Sequence, residues 1–129
     1  MSEEKSKKRI LIVEDDSFVM DIYQTKLSQS GYDVVGADNG LEALKKIEED
    51  GSFDLMLLDI VMPYMDGLEV LQKVKSDDKN KDLPIILLTN LSQKEEVDKG
   101  LELGASDYLI KSHFTPSEVL EKIKGYLDK

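Results

Sequence analysis

The chain has 129 residues, 40% of them hydrophobic and 34% charged, which suits one domain with a single core and is too short for two ordinary ones. Acidic residues outnumber basic ones 27 to 17, and the net charge of -10 argues against a nucleic-acid surface and against binding to anionic membranes. With no cysteine there is no disulfide framework and no thiolate metal site, as suits a reducing cytoplasm.

Residues 1–8 read as a charged, solvated tail without the apolar stretch of a secretory signal, and residues 9–129 as the folded domain. No apolar run approaches the length of a membrane span. The first strand is predicted over residues 9–14, where Ile10-Leu11-Ile12-Val13 runs into Glu14-Asp15. A helix follows on Val19, Ile22, Tyr23 and Leu27, stopping at Gly31, with Asp16 as its cap or as extra charge near the strand end. The second strand, residues 32–37, precedes a helix on Leu41, Leu44 and Ile47 that stops at Gly51.

The third strand, residues 54–59, carries Leu55-Met56-Leu57-Leu58 and ends in Asp59; a helix on Leu68, Leu71 and Val74 follows, capped by Asp66. The fourth strand, residues 84–89, ends in Thr89, and Ser92-Gln93-Lys94-Glu95 reads as the capping box of the next helix. The fifth strand, residues 107–111, ends in Lys111, and Thr115-Pro116-Ser117-Glu118 reads as a second capping box with proline at the first helical position. Met56, Met62 and Met65 read as core and rim filler, and His113 as a surface loop residue.

Five strands alternate strictly with five helices, and several strands are apolar on consecutive residues, as expected when helices cover both faces. The fold class is therefore α/β: a doubly wound, five-stranded parallel sheet in the order 2-1-3-4-5, a flavodoxin-like three-layer sandwich. Ligands bind such sheets beyond the carboxyl ends of the strands, where Glu14, Asp15, Asp59, Thr89 and Lys111 are expected to converge. Crowded carboxylates repel unless a cation intervenes, and an all-oxygen shell suits Mg²⁺. With Mg²⁺, Lys111 and Thr89 neutralising a transferring phosphoryl group, Asp59 can serve as the nucleophile and form an aspartyl phosphate. A flavin-phosphate site is disfavoured because Glu14-Asp15-Asp16 stands where a Ser/Thr/Gly-rich loop is needed, and a haloacid-dehalogenase-type phosphatase because Val61 stands where a second Asp is expected.

The runs ILIVEDD, DLMLLDIVMPYMDG, ILLTN and GASDYLIK, in that order and spacing, resemble the signature of response-regulator receiver domains over residues 8–127. The resemblance implies that Asp59 is the phosphoacceptor and that Glu14, Asp15, Asp59 and the Val61 backbone carbonyl hold Mg²⁺, for which Mn²⁺ would substitute. It implies that Thr89 and Lys111 act on the phosphoryl group, and that Tyr108 stands where the family has a rotating aromatic. On its own residue chemistry Tyr108 reads equally well as a packing or edge residue. The implied donor is a histidine kinase or phosphotransfer protein, and the implied output is a downstream protein or a homodimer engaged through helix 4, strand 5 and helix 5.

Two positions depart from the family pattern. Ser112 follows Lys111 where proline is usual, so a trans bond is expected there, with a shifted loop through His113 and Phe114 and the position of the lysine ammonium left open. Asn90 stands where a very small residue is preferred, and Val61 and Leu91 are both apolar, which predicts slow hydrolysis of the acyl phosphate. Ser112 and Asn90 keep open the alternative of a pseudo-receiver, a module that signals without phosphorylation.

Overall fold

The structure is a computed structural model that describes residues 7–50, 52–62, 65–90 and 93–128. Most of the expected tail, the expected helix stop at Gly51, and Leu91 and Ser92 lie outside the described residues.

Five strands, β1 (Arg9–Val13), β2 (Asp33–Ala37), β3 (Leu55–Asp59), β4 (Ile85–Thr89) and β5 (Asp107–Ile110), form one parallel sheet in the order β2-β1-β3-β4-β5. The helices are α1 (Ser17–Gln29), α2 (Gly40–Asp50), α3 (Gly67–Lys75), α4 (Lys94–Glu102) and α5 (Pro116–Leu127). Expected strand ends differ from these by a single residue. Polar Glu14 and Lys111 fall just beyond their strands, although the Glu14 N–H still bonds the Ala37 carbonyl at 3.0 Å and Lys111 opens a short 3-10 turn, Lys111–His113.

The continuous apolar runs are explained by two cores. Leu11, Val13, Met56, Leu58, Ile85 and Leu87 point to one face and pack with Ala43, Ile47, Val70, Leu71, Val74 and Val97 from α2, α3 and α4. Their neighbours Ile10, Ile12, Leu55, Leu57, Ile86, Leu88 and Leu109 point to the other, against Tyr23 and Leu27 of α1 and Val119, Leu120 and Ile123 of α5. All five residues of β3 and of β4 are buried, so these two inner strands have no solvent face.

Local chemistry sets most helix starts. Asp16 caps α1 by accepting from the N–H groups of Phe18 and Val19, Asp66 caps α3 by accepting from Glu69, and Thr115 with Glu118 forms the expected capping box on α5. Gly31, at a φ of +97°, turns the chain just beyond α1 in a conformation that favours glycine. The capping box expected on α4 rests on Ser92, which lies outside the described residues. That helix begins at Lys94 with Gln93 in the cap position and no side-chain cap, because the Gln93 amide is engaged elsewhere.

The edge strand β5 is tied to α5 through Asp107. Its Oδ2 lies 3.0 Å from Lys122 Nζ and accepts from the Tyr126 hydroxyl at 3.1 Å, and its Oδ1 accepts from the Tyr108 N–H at 2.7 Å. Burial pushes this carboxyl up, but Lys122, the Tyr108 amide and Tyr126 together outweigh burial and hold its pKa below the ordinary aspartate value. The unfolded chain then binds more protons in acid. The stabilisation is present above the unfolded pKa of about 3.9 and is lost as pH falls through the lower folded value. Asp107→Asn should lower the urea midpoint at pH 7, and the gap between variant and parent should narrow markedly at pH 3; a gap independent of pH would contradict this.

Candidate functional site

Asp59 ends the middle strand, so its carboxylate emerges at the centre of the sheet's C-terminal edge. Beyond it the Ile60 N–H bonds the Leu88 carbonyl at 3.2 Å, and the Ile60 carbonyl accepts from the Gly67 N–H at 2.7 Å, bringing the start of α3 against the end of β3. A Cβ on Gly67 would press on the Asp59 carbonyl oxygen and come within 2.8 Å of Ile60 Cα, so this approach requires glycine. On the neighbouring strand Val13 is level with Leu58, which places Glu14 beside Asp59.

Glu14 is 1% exposed and Asp59 5% exposed, whereas Asp15 lies at the open mouth. One carboxylate oxygen from each of the three lies within 4.8 Å of the others. Lys111 reaches in from beyond β5, its Nζ 2.8 Å from Glu14 Oε1 and 3.1 Å from Asp59 Oδ2. The Lys111–Ser112 bond is trans, as the missing proline led one to expect, and the ammonium reaches the carboxylates all the same. Glu14 Oε2 accepts from the Asp16 N–H at 3.1 Å, and Asp59 Oδ1 from the Val61 N–H at 3.3 Å. The close approach of Lys111 to Glu14 Oε1 is off line for a hydrogen bond, so this buried oxygen has a positive neighbour and no aligned donor.

Burial, with the adjacent Glu14 charge, pushes the Asp59 carboxyl up to about 7 in spite of Lys111. Burial lowers the Lys111 pKa, but attraction to Glu14 and Asp59 outweighs it and leaves the ammonium firmly protonated. Three carboxylates facing one ammonium leave a surplus of two negative charges when all are ionised. A divalent cation matches that surplus, and the all-oxygen donor set selects a hard one. Opposite ligands of an octahedral Mg²⁺ shell stand about 4.2 Å apart, given bonds of about 2.1 Å, so small side-chain rotations would close this cluster on the ion. The residues fit Mg²⁺, with Glu14 Oε1 the buried oxygen that lacks an aligned hydrogen-bond donor.

Thr89 is buried at the end of β4 but does not face the carboxylates. Strand alternation puts it on the α4 side with Leu87, and its hydroxyl bonds Gln93 Oε1 at 2.8 Å. Asn90 and Val61 are exposed at the rim, and Tyr108 is 40% exposed on β5, level with Leu87. His113 is a surface residue, as expected. Sequence reasoning missed two residues here. Gln93 stood in a polar run that looked like a cap, and Tyr23, read as core, lies near enough to Lys111, Glu14 and Asp59 to feel their charges, although burial is the main cause of its raised pKa.

A doubly wound sheet with an acidic cluster and a lysine at its switch edge defines a receiver-type α/β domain. The family model described as the response regulator receiver domain matches residues 10–124, and the chain belongs to that family, a module of two-component signalling. It is 43% identical over 122 residues to the alkaline phosphatase synthesis transcriptional regulatory protein PhoP of Bacillus subtilis, covering 93% of this chain and 48% of that protein. It is 37% identical over 120 residues to the chemotaxis protein CheY1 of Helicobacter pylori, covering 92% and 96%. Among solved structures, a CheY-like response regulator receiver domain protein from Methanospirillum hungatei JF-1 superposes with a TM-score of 0.87 at 38% identity, covering 95% of each chain. The chain thus spans about half the length of the transcriptional regulators it matches and nearly all of the chemotaxis protein.

If carboxylate crowding strains the metal-free site, removing one charge relieves it. In EDTA at pH 8, Asp59→Asn should raise the urea midpoint, with a gain in unfolding free energy on the order of 1 to 2 kcal/mol. An unchanged or lowered midpoint would contradict the electrostatic account.

Proposed function

We propose that this chain is a phosphorylation-dependent switch in which Asp59 takes a phosphoryl group from the phosphohistidine of a histidine kinase or phosphotransfer protein. The observation that carries the reading is the Asp59 carboxylate held between Glu14 and Lys111 at the rim of the central strand. Glu14, Asp15, Asp59 and the Val61 carbonyl would hold Mg²⁺, with Mn²⁺ as a substitute. Such a cation, when bound, neutralises both the carboxylates and the phosphoryl oxygens.

One Asp59 oxygen attacks phosphorus in line, the new P–O bond forms as the P–N bond to the donor imidazole breaks, and the bonding pair leaves with the imidazole, which is protonated. Lys111 shifts from the carboxylates to a phosphoryl oxygen, and the Thr89 hydroxyl turns to donate to another. In hydrolysis water attacks phosphorus, returning the Asp59 carboxylate and inorganic phosphate. Val61, Asn90 and, by the resemblance, Leu91 would flank the group, and apolar Val61 and Leu91 would offer an attacking water no partner. Catalysis by this chain is thus directed at its own modification.

The output passes to a protein target or a second copy through the α4, β5 and α5 face, which carries the exposed Tyr108 as its rotating aromatic. Residues 9–129 act as one receiver unit in the cytoplasm, and among the described residues no helix is long and apolar enough to cross a membrane.

Intact mass after incubation with acetyl phosphate tests the reading. One phosphoryl group should be gained with Mg²⁺ and none in EDTA or in Asp59→Asn, and after removal of the donor the label should be lost several-fold faster in Val61→Asn. No mass gain in the parent would favour a module that signals without phosphorylation, and labelling that survives Asp59→Asn would overturn the assignment of the acceptor.

A further inference from the structure

The Gln93 side chain, 9% exposed, stands in the cap position of α4 without capping it. Its Oε1 lies 2.8 Å from Thr89 Oγ1 and 2.9 Å from the Asn90 backbone nitrogen, while its own N–H donates to the Asn90 carbonyl at 3.1 Å. A backbone N–H can only donate, so the Gln93 atom facing Asn90 must be the carbonyl oxygen. That oxygen cannot donate to Thr89, so Thr89 must donate to it. The threonine hydroxyl has a single proton, and its alternative acceptor in the loop, the Asn90 carbonyl, lies farther off at 3.2 Å.

We propose that Gln93 is a positioning residue, a latch that holds the Thr89 proton toward α4 and away from Asp59 until a phosphoryl group competes for it. The inference rests on the proposed role of Thr89 as a donor to that group. To reach a phosphoryl oxygen, Thr89 must leave Gln93, and a largely buried amide oxygen then loses one of its two donors. The rest of α4 stays anchored, because Val97 is buried and Gly100 lies against Leu87. The change therefore concentrates in the first turn, where the Gln93 carbonyl accepts from the Val97 N–H at 3.0 Å and the Gln93 side chain does not cap the helix. Gln93 sets both the affinity for a phosphoryl group and the point at which its arrival is felt on the α4 face.

Beryllofluoride with Mg²⁺ is the probe for the loaded site, followed by amide chemical shifts. Gln93→Leu, which lacks the acceptor, should bind it about fivefold more tightly, the equivalent of about 1 kcal/mol for one neutral hydrogen bond. Gln93→Glu, whose carboxylate is the stronger acceptor, should bind it more weakly. A residue that merely supported the loop would move both variants in the same direction. In a Thr89→Val background the Gln93→Leu effect should vanish. Without beryllofluoride, hydrogen exchange at the Asn90 amide should quicken in Gln93→Leu. Equal affinities, shifts of one sign in both variants, or unaltered Asn90 exchange would overturn the latch. A parent chain that fails to take beryllofluoride would overturn the proposed function instead, and Asn90 exchange would still decide whether the latch exists.

Discussion

Three carboxylates gathered around one ammonium at the end of the central strand constrain the rest of this molecule. Glu14 and Asp59 are buried, so water cannot screen their repulsion, and Lys111 offsets only one charge. Left to itself the arrangement works against stability, which is why the Asp59 carboxyl is pushed up to about 7. Two arrivals would relieve it: a divalent cation between the carboxylates, and, on the proposed function, a phosphoryl group that would convert the Asp59 carboxylate to a mixed anhydride and give Lys111 a new partner. Ligand response thus follows from an electrostatic imbalance that the fold maintains.

What maintains it is packing remote from the charge. β3 and β4 are buried along their whole length, and their paired registers fix where Asp59 and Thr89 emerge. Gly67 lets α3 close on the end of β3, and the same alternation that builds two cores aims Thr89 at α4. Lys111 arrives from a turn beyond the edge strand, which Asp107 ties to α5. The site therefore draws on four strands, and a change at any of their ends alters distances among charges that are already close.

The fold was legible because burial on both faces writes β1, β3 and β4 as largely unbroken apolar runs, and a polar residue closes or follows each of them. Asp16, Asp66 and the Thr115–Glu118 box announced their helices because caps are local chemistry. The role of Gln93 beside α4 was hidden for the opposite reason: it answers to Thr89, and that partnership is tertiary. Convergence of Glu14, Asp15, Asp59 and Lys111 could be read from strand order alone. The different burial of Glu14 and Asp15, and the turning of Thr89 away from its neighbours, depend on side-chain direction at strand ends, where periodic patterns stop.

The imbalance of charge makes the central claim measurable without any phosphodonor. Isothermal titration of Mg²⁺ into the metal-free chain should find one site per molecule, abolished or strongly weakened in both Asp15→Asn and Asp59→Asn. Absence of binding in the parent, or undiminished binding in both variants, would contradict the account.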